Sequence, residues 1–194
     1  MTARSGMAVL IDQVRTLTQA STAEYTLGTA SFWDDDHVQE LLDGHRVDVY
    51  RELLTPIPKH VGGGSIQWLE YRSQFRNLEQ TDGGTAVFIV EDSTGADSGT
   101  ANWTADYQRG IVTFTADQRG TSYFLTGRAY DLYGAAADLL TAWAAREKLQ
   151  FDFSTDGQRF HRSQKVKMLM QMAVEYRRQQ WPRTAAMVRS DIRE

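Results

Sequence analysis

Residues 130–149 read YDLYGAAADLLTAWAAREKL, and residues 165–180 read KVKMLMQMAVEYRRQQ. Both stretches carry apolar residues at intervals of three and four, which is the spacing of an amphipathic α-helix. The alanines of the first stretch allow another helix to approach its backbone closely. The second stretch adds methionines, which suit adaptable contacts, and then arginines. Together they predict two packed helices joined by a polar loop, an arrangement suited to packing and assembly.

Two further helices are predicted upstream of this pair. Residues 8–20 have an apolar face at helical spacing. Another helix is predicted to begin at residues 34–37 and to run for about five turns, because apolar residues recur three and four apart as far as Leu53. It is expected to stop before Pro56 and Pro58, since proline cannot donate the helical hydrogen bond.

The pattern changes at residues 61–64, where Val-Gly-Gly-Gly predicts a hinge-like break. Short alternating runs of strand-forming residues then follow, separated by turns that contain glycine. The predicted fold class is α+β: a mainly α-helical four-helix bundle with an inserted small antiparallel β-domain. The bundle is predicted to comprise residues 1–60 and 128–180, the β-domain residues 61–127, and a C-terminal tail residues 181–194.

The composition limits the possible functions. The chain has 194 residues, a formal net charge of −4 and no cysteine. A chain of this length can bury a core without a disulfide or metal staple, and the lack of cysteine excludes thiol nucleophiles and thiolate metal sites. Residues 1–145 carry a net charge of −9 and residues 146–194 one of +5. An acidic chain does not suit general DNA binding, so the basic C-terminal part is expected to meet an acidic protein surface.

The sequence Asp34-Asp35-Asp36-His37 is the most suggestive of chemistry, because carboxylates and an imidazole can hold a hard cation or exchange protons. Consecutive helical residues point about 100° apart, however, so these four side chains cannot all converge on one ion. Acidic residues at this place cap a helix and favour its dipole. We therefore predict a helix start here, and no catalytic, metal-binding or cofactor-binding residue in the chain.

Two stretches, FWDDDHVQELLDGHRVDVYRELL (residues 32–54) and AYDLYGAAADLLTAWAAREKLQFDFSTDGQRFHRSQKV (residues 129–166), resemble the head-to-tail connector (adaptor) proteins of tailed bacteriophages. In that family an alanine-rich helix follows a Tyr-Asp start. A loop of aromatic-Asp-aromatic-Ser-x-x-Gly character then leads to a Ser-Gln opening of the last helix. The resemblance covers residues 8–55 and 129–180, whereas the β-rich insertion is larger than in minimal helical members.

The resemblance implies a virion structural protein that is not an enzyme. Such adaptors form a homo-oligomeric ring, usually of twelve copies, under the portal protein, with a stopper or tail-completion protein below. The ring joins the DNA-filled head to the tail, and genomic DNA passes through its channel without sequence-specific binding. The implied location is the virion neck, after assembly in the host cytoplasm, with no membrane involved.

The last helix and the C-terminal tail of such adaptors engage the portal. The resemblance therefore implies a portal-side interface made of six residues: Arg177, Arg178, Trp181, Arg183, Met187 and Arg189. Trp181 could equally pack on its own last helix. Two other functions stay open from the sequence: a phage-associated metal-dependent enzyme that uses residues 34–37, and a monomeric ligand-binding module with a pocket in the β-domain.

Overall fold

The computed structural model describes residues 3–20, 26–27, 30–31, 33–148, 153–155, 158–160 and 162–182. Four α-helices lie within these ranges: α1 (Ala8–Thr18), α2 (Asp35–Asp43), α3 (Leu132–Lys148) and α4 (Arg162–Gln179). The same ranges contain thirteen β-strands: β1 (Thr26–Leu27), β2 (Ala30–Ser31), β3 (Arg46–Leu53), β4 (Thr55–Val61), β5 (Ser65–Arg72), β6 (Thr81–Asp82), β7 (Thr85–Ala86), β8 (Ile89–Glu91), β9 (Trp103–Asp106), β10 (Ile111–Phe114), β11 (Phe124–Tyr130), β12 (Phe153–Thr155) and β13 (Gln158–Phe160). Short 3-10 turns form at Ser5–Met7 and Gly62–Gly64.

Helix α3 is the centre of the helical part, because α1, α2 and α4 all pack against it. Its alanines at positions 135–137 are fully buried, which lets the backbones approach closely, as the alanine-rich sequence predicts. Trp143 of α3 packs on Trp33, with ring centroids 6.2 Å apart, and Leu169 and Ala173 of α4 complete this core. No helix in the described ranges is both long and apolar enough to span a membrane.

The strands enclose a second core. The two larger antiparallel sheets have the strand orders β4-β5-β10-β9 and β3-β11-β8. Tyr71, Phe114 and Tyr123 pack against one another with ring centroids 4.5–5.4 Å apart. Burial raises the pKa of Tyr71 to about 12. Large aromatic side chains of this kind contribute much of the apolar burial that stabilises a small sheet structure.

Strands β3 and β4 form one nearly continuous edge that belongs to both sheets. β3 pairs with β11, β4 pairs with β5, and each lies at the end of its sheet order. The fully buried Leu54 marks the change from one sheet to the other. A β-bulge at Arg51, whose φ is +46°, adds a local bend. Among the described residues, both strands therefore pair on one side only, before and after Leu54.

The prediction of a mainly α-helical four-helix bundle is wrong, because the chain from residue 46 to residue 130 is built almost entirely of strands and turns. The start of the predicted second helix is confirmed, but this helix ends at Asp43 and does not reach Leu53. Val47 and Val49 are β-branched and favour the strand that pairs with β11. The apolar residues of this region also fit a helical spacing, but the pairing of β3 with β11 determines the structure.

The prolines have a different role from the one predicted. Pro56 and Pro58 do not stop a helix but lie within β4. A strand at the edge of a sheet tolerates proline, because the missing N–H can face away from the ladder. The structure thus explains the two prolines by the position of β4 at the sheet edge.

The sheet region spans Arg46 to Tyr130, which is wider than the predicted insertion of residues 61–127. Residues 61–64 form the tip of the β4–β5 hairpin and are not a hinge between domains. Gly63 and Gly64 both have φ near +82° there, a conformation that favours glycine. Of the predicted C-terminal tail, only residues 181–182 lie within the described ranges.

A buried network of charges joins the N-terminal segment to the sheet. The fully buried carboxylate of Glu79 lies 2.9 Å from Nε of Arg4 and 3.4 Å from Nη1 of Arg128, and it accepts a 2.6 Å hydrogen bond from the Tyr130 hydroxyl. Arg4 also donates two hydrogen bonds to Asp43 of α2. These bonds to Asp43 and Glu79 raise the pKa of Arg4, and burial together with the Glu79 hydrogen bond raises the pKa of Tyr130.

Candidate interface at the C-terminal end of the last helix

The structure describes three of the six predicted interface residues. Arg177 and Arg178 lie in the last turn of α4, and Trp181 follows the helix directly. The other three, Arg183, Met187 and Arg189, lie outside the described residues. The described part of the candidate interface therefore consists of the end of α4 and Trp181.

Trp181 is half-buried and contacts the β-region of its own chain. Its indole packs edge-on against the ring of Phe75, with centroids 6.0 Å apart, and joins the sheet core. Its backbone N–H donates a 2.9 Å hydrogen bond to Oδ2 of Asp131. Trp181 thus fastens the chain after α4 to the junction between the sheets and α3.

Asp131 serves two elements at once. Its Oδ1 accepts hydrogen bonds from the backbone N–H groups of Tyr133 and Gly134, both 3.1 Å long, and so caps the N-terminus of α3. Its Oδ2 accepts the hydrogen bond from Trp181. One buried carboxylate therefore fixes both the start of α3 and the exit of the chain from α4.

Replacing Asp131 with alanine is expected to lower the free energy of unfolding by about 1–2 kcal/mol, the usual cost of losing a helix cap. Asp131→Asn is the matched comparison, because its amide oxygen can keep the cap while its NH2 group cannot accept from Trp181. We expect this variant to be nearly as stable as the parent but to exchange the Trp181 amide hydrogen faster. Urea unfolding and hydrogen exchange check the two effects, and equal stability of Asp131→Ala and the parent would contradict the capping role.

Arg177 is held on the surface of its own chain. Its Nη2 lies 3.2 Å from Oγ1 of Thr141 and 3.5 Å from Oδ1 of Asp138, which in turn lies 2.7 Å from Nε2 of His45 through its other oxygen. The Arg177 side chain is about half-exposed. Arg178 is exposed, so it presents a positive charge to the surroundings more fully than Arg177 does.

An open cleft of about 520 Å³ adjoins Trp181. It lies where α1, α3 and the end of α4 meet the turns of the sheet region. Arg76 and Arg109 line it together with Asp131 and Tyr133. The cleft therefore combines aromatic and basic groups next to the exit of the chain, which suits contact with an acidic protein segment.

The outer face of α4 also exposes apolar side chains. The exposed fractions are 64% for Met168, 42% for Met170 and 46% for Val174. Met172 instead packs against the helical core. The methionines therefore divide between the core and the surface, with Met168 and Met170 exposed and Met172 packed.

The acidic residues 34–37 have structural partners. Oδ1 of Asp34 accepts a 2.8 Å hydrogen bond from the His37 backbone N–H and caps α2, which confirms the predicted helix start. Oδ1 of Asp35 lies 2.7 Å from Nη2 of Arg15 on α1. Within the described ranges, no group of three His, Asp or Glu side chains is placed to hold a metal ion.

Sequence reasoning missed the charge network around Glu79. Glu79 is separated by 75 residues from Arg4 and by 51 from Tyr130. No local pattern connects such distant positions, although a lone glutamate beside Leu78, between strands, is a weak signal of a buried pair. The network does not form part of the candidate interface.

Comparison with known proteins adds no relative. No family model matches the sequence, and neither the curated proteins nor the solved structures contain a significant match.

Proposed function

We propose that the chain is a head-to-tail adaptor of a tailed bacteriophage, a virion structural protein that forms a ring under the portal. Its partners would be the portal protein, a stopper or tail-completion protein, and further copies of itself. The resemblance of residues 32–54 and 129–166 to connector proteins carries the proposal. The chain would act by binding and positioning other proteins, without a catalytic step, in the virion neck.

The placement of the C-terminal end of α4 supports a portal-side role. The chain leaves this helix beside a basic and aromatic cleft, and Trp181 fixes the exit by its contacts with Asp131 and Phe75. The anchored exit fixes the point at which the described chain ends, at residue 182. Because these residues carry three arginines and two acidic residues, they suit an acidic partner surface.

The charge distribution supports passage of DNA. Residues 1–145 carry a net charge of −9, and an acidic surface repels phosphate groups and so disfavours non-specific binding. We therefore expect genomic DNA to pass through the proposed channel without being held. The net charge of +5 on residues 146–194 suits contact with protein instead.

Removing residues 181–194 is expected to abolish binding to the cognate portal protein, while α1–α4 and the sheets stay folded. Exposed Arg178→Glu should weaken the binding about tenfold, because it reverses a charge at the proposed contact. Lys167→Glu, on α4 but outside the candidate interface, is the matched control and should change the affinity little. Biolayer interferometry measures the affinities and thermal unfolding monitors the fold.

Two results would count against this assignment. Undiminished portal binding by the chain lacking residues 181–194 would show that the tail is not the portal contact. Equal weakening by Arg178→Glu and Lys167→Glu would show that only total charge matters. Loss of binding together with loss of thermal stability would call for the shorter deletion of residues 183–194, which keeps Trp181 in place.

A further inference from the structure

The β4–β5 hairpin extends beyond its sheet as a two-stranded arm. β5 pairs with β10 only through residues 70–72, whereas β4 and β5 continue to pair out to Val61 and Ser65. Residues 58–66 are exposed except for Val61, which is half-buried. We call residues 58–67 the arm. It ends in the glycine turn at residues 62–64.

The base of the arm is held in place. The Trp68 backbone N–H donates a 2.9 Å hydrogen bond to Oδ1 of Asp117, and its carbonyl accepts a 3.1 Å hydrogen bond from the N–H of Gln118. Hydrogen bonds from Arg119 and Trp68 lower the pKa of Asp117, so this carboxylate stays charged. A strand pair anchored in this way is preorganised, which reduces the entropy lost on binding.

An open groove adjoins β3 and the segment that follows β5. It has a volume of about 440 Å³, and its lining includes Tyr50, Leu53, Gln74 and Phe75. Tyr50 is 82% and Leu53 57% exposed. Among the described residues, β3 is an edge strand that pairs on one side only, so it offers a ladder for another strand beside the apolar contacts of this groove. We call it the β3 groove.

The arm and the β3 groove have complementary charge. The arm contains Lys59 and His60 and no acidic residue. Of the described residues that line the groove, Asp48 and Glu52 are acidic and none is basic. Glu52 is engaged with Ser73 and the N–H of Gln74, and Asp48 forms a 3.0 Å ion pair with Arg46 while staying 67% exposed. Asp48 is therefore the acidic group best placed to meet Lys59.

A chain cannot place its own arm in its own β3 groove. The groove is lined by residues of β3, whereas the arm is the far end of β4. β4 follows β3 along the chain and leads away from the groove. Val61 lies eleven positions after Tyr50, which corresponds to up to about 36 Å at about 3.3 Å per strand residue. Two complementary surfaces at opposite ends of one edge generate head-to-tail contacts, which close into rings when the rotation allows.

We propose that the arm of one copy adds as a strand to the β3 groove of the next copy. Ile66, 43% exposed on the arm, would contact Tyr50 and Leu53, and Lys59 would face Asp48. The inference deepens the proposed assembly into a ring and rests on it. Its test does not use the portal protein, so its failure and the failure of portal binding can be told apart.

Because the sequence contains no cysteine, an introduced cysteine is the only thiol that a maleimide reagent can cross-link. One full-length variant carries His60→Cys on the arm, and a second carries Gln74→Cys at the groove. A strand contact of this size buries less than the ~1,600 Å² of a typical stable interface, so a short bismaleimide is used to trap it. We expect a cross-linked heterodimer in the mixture and only background from either variant alone.

Two further variants make the result specific. Val9→Cys, at an exposed position of α1 outside the groove lining, replaces Gln74→Cys as the control and should give background yield with His60→Cys. Adding Lys59→Glu to the arm variant should lower the heterodimer yield about threefold at low salt. A mixture that cross-links no better than the Val9→Cys control would overturn the proposal. Efficient homodimers of Gln74→Cys alone would do so as well, because they would indicate groove-to-groove contact.

Discussion

Replacing Glu79 with glutamine is expected to lower the free energy of unfolding by about 3–5 kcal/mol, the cost of breaking a buried ion pair by removing one charge. The Glu79 side chain is fully buried and is the shared partner of Arg4, Arg128 and Tyr130. The NH2 group of glutamine would replace one carboxylate oxygen and would meet the N–H or O–H donors that this oxygen now accepts from. Since small domains are stable by only about 5–15 kcal/mol, the loss is a large part of the total.

Asp82→Asn is the matched control for this experiment. Asp82 pairs with the same Arg128 at 2.7 Å, and that hydrogen bond lowers the pKa of Asp82. Its side chain is 38% exposed, so solvent screens the pair and we expect a much smaller loss. Urea unfolding at pH 7 measures both variants. A Glu79→Gln variant that unfolds at the same urea concentration as Asp82→Asn would contradict the role assigned to burial.

Replacing Gly110 with alanine is expected to destabilise the chain by about 2–5 kcal/mol. Gly110 has φ +67° in the turn before β10, a conformation that costs other residues about 1–2 kcal/mol. A Cβ atom there would also meet the Phe75 carbonyl oxygen, and would lie 3.3 Å from Cβ of Ser73. Backbone must move to relieve that contact, which adds about 1–3 kcal/mol.

The same substitution is expected to disturb the candidate interface. Phe75 packs on Trp181 and lines the β3 groove, so a shift at residue 75 reaches both proposed contacts. Gly83→Ala is the control, because Gly83 has φ +57° but open space around its Cα. Differential scanning calorimetry should show a clearly larger loss for Gly110→Ala. Equal losses would mean that conformation alone, without the contact to Phe75, determines the cost.

The helices could be predicted because their signals are local. α1 and α4 each bury one stripe of apolar residues, and α3 is apolar and buried on most sides. The Asp34 side chain caps α2 by accepting a hydrogen bond from the backbone N–H three residues further on. Such caps and periodicities depend on neighbours within one or two turns. The sequence also indicated most turns of the sheet region, where glycines supply positive φ angles.

The edge formed by β3 and β4 could not be predicted in the same way. Val49 of β3 pairs opposite Gly127 of β11, and the register then shifts at the bulge. This pairing involves residues almost eighty positions apart, and the bulge at Arg51 disrupts the alternation that marks a strand. The apolar residues between Val38 and Leu53 also fit a helical spacing, so local pattern alone favoured the wrong element.

Part of the candidate site was predictable and part was not. The basic end of α4 is visible in the sequence as Arg177-Arg178. The hydrogen bond from Trp181 to Asp131 spans 50 residues and depends on how α4 returns along α3. The β3 groove exists only because β3 is at a sheet edge, which no single segment reveals.

Electron cryo-microscopy of the full-length chain mixed with its cognate portal protein tests the proposed function most directly. We predict a closed ring of this chain seated on the portal, with the C-terminal end of α4 and Trp181 towards the portal and the arm of each copy on its neighbour. A chain that stays single in the presence of the portal, or a ring that attaches with the end of α4 pointing away from it, would contradict the account.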